Sequence, residues 1–171
     1  MFGDAAAAVI LSYDEYGESF FLKGSLNTYT EGVYQTLIKG GGNKFFFKQN
    51  PYNEELHSFK MDGRRLLKLA KKEMKTFTQN FFEDLDYSLE DVDVIIPHQT
   101  SKIGMLLFKK MYNFRDDQVM DNLSHYGNCI AASIPLMIHH SVKNHKLKRG
   151  ALCLLLGTSA GFSIGATLFR Y

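Results

Sequence analysis

Tyr126-Gly127-Asn128-Cys129-Ile130-Ala131-Ala132-Ser133-Ile134-Pro135-Leu136-Met137-Ile138-His139 is a Gly-Asn turn that runs straight into a helical stretch. The start of that stretch is small or apolar on nearly every side, the pattern of a helix touched all round by other elements. Asn128 and the first free amide groups of the helix then face inward, towards a site rather than towards water. Such a helix needs neighbours on every side.

Downstream, residues 151–156 and 162–169 read as two strands. They are joined by Gly157-Thr158-Ser159-Ala160-Gly161, whose small residues let backbone approach a ligand or another segment closely. Upstream, a short strand is expected at residues 118–122 and another at 92–96, the latter after a capped turn at Ser88-Leu89-Glu90-Asp91. Pro97 ends that strand because it has no amide to give to a ladder. His98 therefore stands at the C-terminal end of a strand, before a helix over about residues 100–112. In open α/β sheets ligands bind at that edge.

Earlier still, Leu67, Ala70, Met74, Phe77 and Phe81 recur at alternating steps of three and four and predict one apolar helical stripe. Arg64, Arg65, Lys68, Lys71, Lys72 and Lys75 occupy the other faces. Such charges form either a solvated face or a docking surface for an acidic partner. Residues 5–13 read as a buried strand and 18–27 as a second one, a hairpin turning at 14–17. Residues 28–47 show no clear period, and no Gly-Lys-Ser/Thr follows Gly40-Gly41-Gly42, which leaves a plain loop rather than a phosphate loop. Strand and helix alternate after residue 60, the mark of one layered α/β domain.

A chain of 171 residues that is 45% hydrophobic suits a single domain with a real core. Its net charge of +2 gives no electrostatic case for nucleic acid. The longest apolar runs are far too short to cross a bilayer, and no secretory signal pattern opens the chain. Instead the chain begins at once on a buried-strand pattern, as a fragment starting inside a larger fold would. Cys129 and Cys153 make neither a disulfide framework nor a metal pair, and a reducing, cytoplasmic setting is expected. His139, His140 and His145 lack the spacing and acidic company of a metal site.

His98 is either an oxyanion donor or a structural histidine bonded to a carbonyl. Asn128 is either a neutral donor to a thioester carbonyl or a helix cap. Cys129, at a helix start, has two readings: a nucleophile in a Cys-His-Asn set, or a small buried residue. Cys153, mid-strand in an apolar run, is packing.

Several blocks occur in a telling order: Phe2-Gly3-Asp4-Ala5-Ala6, Phe59-Lys60-Met61-Asp62-Gly63, Pro97-His98-Gln99-Thr100-Ser101, Tyr126-Gly127-Asn128, Ala131-Ala132-Ser133-Ile134-Pro135 and the closing Gly-Thr-Ser-Ala-Gly loop. In that order and spacing the chain resembles, over essentially its whole length, the C-terminal half of β-ketoacyl-(acyl-carrier-protein) synthase III. The resemblance implies the C-terminal half of a thiolase-like α/β fold, a mixed sheet with helices on both faces. In the whole fold two such halves stack as five layers, with the Cys129–His139 helix in the middle. It implies that His98 and Asn128 are catalytic, beside a nucleophilic cysteine in an N-terminal half absent from this chain, which alone should then be inactive. Gln99, Gly127, Gly157, Ser159 and Gly161 become the substrate-binding set. Lys102, Lys109 and Lys110, taken as one helical face, join Arg64 and Lys68 in carrier docking.

Implied partners are an acyl carrier protein, acyl and malonyl thioesters, the N-terminal half and a second copy of the chain. No cofactor, metal, nucleic acid or membrane is called for. The implied reaction is a decarboxylative Claisen condensation in fatty acid or polyketide-type biosynthesis. The alternatives are a non-catalytic carrier-binding or assembly module, and a relative that transfers acyl groups to another acceptor. Departures from the family pattern are Thr100 and Ser101 after His-Gln, Ala5 in the first block, the composition of the final loop, and Ile103 where the family often has an arginine.

Overall fold

The computed structural model describes residues 2–13 and 15–171. Six strands are formed by these residues: β1 (Phe20–Thr28), β2 (Thr36–Leu37), β3 (Lys60–Met61), β4 (Val94–Pro97), β5 (Leu152–Ser159) and β6 (Ser163–Arg170). The helices are α1 (Glu54–His57), α2 (Gly63–Phe82), α3 (Lys102–Tyr112), α4 (Leu123–Tyr126) and α5 (Ser133–Lys143). Four strands make one mixed sheet in the order β1–β6–β5–β4, in which β4 and β5 run parallel and the other pairs antiparallel.

Period two in the strands sorts the core into two layers. Leu152, Leu154, Leu156 and Ile95 face one side, against Met74, Phe77 and Phe81 of α2 and Met105 and Phe108 of α3. Val94, Ile96 and Cys153 face the other side, against Met120 and against Met137 of α5. Central strands buried on both faces read as continuous apolar runs, which is why β5 opens Leu-Cys-Leu-Leu-Leu. The helices therefore cover both faces of the mixed sheet, as expected.

Helix α2 starts where Asp62 Oδ1 accepts from the Arg65 amide at 3.0 Å. Its buried face is Met74, Phe77, Thr78 and Phe81, while Leu67 lies outside it, exposed. Counting back three turns from Phe77 reaches Leu66, which packs on the core in its place. Helix α3 is capped by Ser101, whose Oγ accepts from the Gly104 amide at 3.1 Å. Tyr112, in its last turn, donates to the Met74 carbonyl at 2.9 Å and ties α3 to α2.

Four expectations change. Residues 5–13 form no strand and are exposed, and β1 pairs with β6 rather than closing a hairpin with them. β1 is an edge strand of the sheet, and no strand pairs with its outer edge among the described residues. Asp14, in the expected turn, lies outside the described residues. The expected strand at 118–122 reduces to a parallel bridge between Ile95 and Val119. Gly157 and Ser159 lie within the β5–β6 ladder, opposite Gly165 and Ser163, so the connection is shorter than expected.

The fourth change concerns the central helix. It begins as a 3-10 turn over Ile130–Ala132 before α5, and only one side is buried, through Ser133, Met137 and Ser141. Ile130 is 58% exposed, and a groove of about 420 Å³ opens between this turn and residues 5–7. The all-round apolar start has no second neighbouring layer among the described residues.

Candidate functional site

Strand β4 delivers His98 to the sheet edge. Pro97 pairs with Leu156, and the His98 amide still donates to the Leu156 carbonyl at 2.8 Å, so its backbone is fixed to the sheet. The half-buried ring has no hydrogen-bond partner among the described residues. Burial holds its pKa below the ordinary 6.5, because the charged form is the one that loses hydration. A neutral imidazole at a strand end is free to give its N–H to a ligand oxygen.

Asn128 is presented by a shaped turn. Gly127, with φ 69° and ψ −162°, takes a conformation that suits glycine, and its amide closes α4 on the Leu123 carbonyl at 2.9 Å. Ile130 has φ 51°, the left-handed region, which costs about 1–3 kcal/mol for a residue that is not glycine. The turn at Cys129, with φ −89° and ψ 25°, sets the Ile130 amide on Asn128 Oδ1 at 2.9 Å, as in an Asx turn. An N–H must face an oxygen, so the Nδ2 end of the carboxamide is the one left for a ligand. Asn128 Nδ2 lies 3.5 Å from the carbonyl oxygen of Thr100, two residues past His98. The Asn128 carboxamide thus lies beside the backbone that follows β4.

Gln99 is placed differently from the substrate contact expected of it. It is 1% exposed, and its side chain meets backbone groups: Nε2 donates to the carbonyls of Pro97 at 2.9 Å and Met120 at 3.2 Å, and Oε1 accepts from the Asn122 amide at 3.2 Å. Gly3 is a close approach that the sequence showed only as a letter in a block. Its amide donates to the Asn128 carbonyl at 3.0 Å, and a Cβ there would fall 1.8 Å from the Tyr126 oxygen. Cys129 is buried, with Sγ on the Tyr126 carbonyl at 3.3 Å. Cys153 is buried in β5, where burial pushes its thiol up to about 12.

The basic residues separate. Lys102 and Lys110 on α3, and Arg64 and Lys68 on α2, are exposed. Lys109 does not share the open face with Lys102 and Lys110: its side chain is 21% exposed and paired with Asp116 at 3.2 Å. No group of His, Cys, Asp or Glu that could hold a metal occurs among the described residues, and none of their helices is long and apolar enough to cross a membrane. The amide of Ile130 and the brace of Gln99 were not visible in the sequence, since a left-handed isoleucine and a buried glutamine leave no pattern of spacing.

Comparison with known proteins follows the same outline. The family described as 3-oxoacyl-[acyl-carrier-protein (ACP)] synthase III C terminal matches residues 82–171. The β-ketoacyl-[acyl-carrier-protein] synthase III of Koribacter versatilis is 31% identical over 173 residues, covering 100% of this chain and 52% of that protein. The synthase III of Prochlorococcus marinus is 32% identical over 180 residues, covering 100% of this chain and 51% of that one. Among solved structures, 3-oxoacyl-[acyl-carrier-protein] synthase III from Aquifex aeolicus superposes with a TM-score of 0.75 at 26% identity, over 92% of this chain and 46% of that one. The synthase III from Thermus thermophilus has the same fold, with a TM-score of 0.75 at 23% identity, over 93% of this chain and 47% of its own. The chain spans about half the length of the curated relatives it matches, and it belongs to the family of the C-terminal part of 3-oxoacyl-(acyl-carrier-protein) synthase III.

Proposed function

We propose that this chain is the C-terminal catalytic half of a synthase III-like condensing enzyme, joining an acyl thioester to malonyl carried on an acyl carrier protein. The observation that carries the reading is the convergence of Asn128 Nδ2 on the backbone just past His98, with the opposite end of its carboxamide held by Ile130. The malonyl thioester binds with its carbonyl oxygen between the His98 ring N–H and Asn128 Nδ2. The bond from C2 to the carboxylate carbon breaks, carbon dioxide leaves, and its electron pair becomes an enolate across C2, C1 and the thioester oxygen. Both neutral donors hold the charge on that oxygen as it develops, so their contribution grows towards the transition state. C2 then attacks the acyl carbonyl held on a cysteine of the other half, and the cysteine sulfur leaves as thiolate.

On this reading residues 1–171 form one domain, and Gly127, Gly157, Ser159 and Gly161 supply the close backbone around the substrate. Lys102, Lys110, Arg64 and Lys68 receive the acidic carrier. The assembled enzyme works in the cytoplasm as a homodimer, in fatty acid or polyketide-type synthesis. The test is condensation with and without an N-terminal half that bears a nucleophilic cysteine. The chain alone should form no product, and robust condensation by it alone would sink the proposal. In the assembled enzyme His98→Ala should lower the rate by about 10²–10³-fold; an unchanged rate would favour an assembly module of the same fold.

A further inference from the structure

Resting on that reading of the site, we infer that Gln99 is a positioning residue: its carboxamide ties the strand end that carries His98 to the turn that carries Asn128, and so sets the separation of the two donors. One end of the tie is the Pro97 carbonyl, the residue immediately before His98. The other end is Met120 and Asn122, 21 and 23 residues past Gln99, in a segment that leads into the Asn128 turn.

The path from Asn122 to Asn128 is short and stiff. The Asn122 carbonyl accepts the amides of His125 at 3.0 Å and Tyr126 at 3.2 Å, which makes Asn122 the N-cap of the single-turn helix α4. Gly127 closes that turn on Leu123, and Asn128 follows at once. A displacement of Asn122 therefore reaches Asn128 through one rigid turn. The orientation of the Gln99 amide is fixed by its partners, because Oε1 faces an N–H and Nε2 faces two carbonyls. At 1% exposed it is shielded from water, and it touches no open surface at which substrate could reach it. Its buried bonds hold a defined geometry instead.

The test uses the synthase assembled from this half and the cysteine-bearing half, with a malonyl thioester as substrate and carbon dioxide release as readout. Gln99→Met keeps the length and bulk of the side chain and removes all three bonds. Its circular dichroism should stay native, KM for the malonyl thioester should stay within about twofold, and kcat should fall by about 10²-fold, the scale expected for a misplacement near 1 Å. Gln99→Glu places a carboxylate against the Pro97 and Met120 carbonyls; once protonated, its O–H donates to one of them. Its rate relative to the unmutated enzyme should therefore recover as pH falls from about 8 to about 6, since burial raises such a carboxyl into this range.

A folded methionine variant with kcat within about twofold overturns the inference, as does a glutamate ratio that is flat with pH. Should the methionine variant not fold, the glutamate variant at low pH decides. Failure of both to fold assigns Gln99 a purely structural role and overturns it too. On this chain by itself, Gln99→Met should shift the NMR signals of the His98 ring and the Asn128 carboxamide, and unshifted signals overturn the tie whatever the activity. Failure of the condensation reading looks different: His98→Ala would then release carbon dioxide at the unmutated rate.

Discussion

At the scale of single residues, the proposed site pairs two donors, His98 and Asn128, whose state and aim are set by their surroundings. His98 is kept uncharged by burial, so the acid limb of carbon dioxide release should lie below pH 6.5, as a pH–rate profile of the assembled synthase would record. The same depression has a stability consequence. Between the folded pKa and 6.5 the unfolded chain binds more protons, so stability rises with pH across that window and is complete above it. Thermal unfolding of the chain and of His98→Gln from about pH 5 to about pH 8 checks this, because the variant should lack that rise. Asn128 separates its two duties by substitution. Asn128→Asp keeps an oxygen for the Ile130 amide and should retain the fold while losing the donor, whereas Asn128→Ala should also lose about 1 kcal/mol of stability, read from urea unfolding. Cys153, with its thiol up at about 12, should resist alkylation at neutral pH in the native chain, with mass spectrometry as the readout. His98 and Asn128 were legible in the sequence because a strand-ending proline and a Gly-Asn turn announce them. The bracing of backbone by Gln99 was not legible, because a glutamine that touches substrate and one that braces backbone are written with the same letter.

At the scale of elements, the helices and central strands were legible where burial imposes a period. The apolar run of β5, the stripe of α2 and the capped turn at Ser88 stand where the pattern put them, with the first turn of the stripe moved from Leu67 to Leu66. What spacing does not carry is partner choice: residues 5–13 have a strand's composition, yet β1 takes β6 as its neighbour. Nor does a helical wheel foresee that Lys109 turns aside to Asp116. Two predictions belong here. Asp62→Ala removes the acceptor at the head of α2 and should cost about 1 kcal/mol, measured by chemical denaturation of the chain. Lys102→Glu should raise KM for a carrier-borne thioester several-fold and leave KM for a carrier-free thioester unchanged. That difference should shrink in high salt, as screening of an exposed charge requires.

At the scale of the whole molecule, the described residues leave much apolar surface bare: Ile10 is 93% exposed, Leu11 73% and Ile130 58%. Single exposed apolar residues are ordinary, but a run of them beside an open groove marks an interface. The chain by itself should therefore self-associate in sedimentation, and mixing it with a cysteine-bearing half should replace those oligomers by a defined complex. Strictly monomeric behaviour at all concentrations would count against this. The amide of Gly3 holds the carbonyl of Asn128, and Gly3 itself has no room for a side chain under Tyr126. Whatever comes to lie along residues 5–11 thus takes hold of the same backbone that presents the carboxamide. On the proposed function, the joining of two halves would serve as a licence as well as a seal, since a grip on this segment would also steady the turn that carries Asn128.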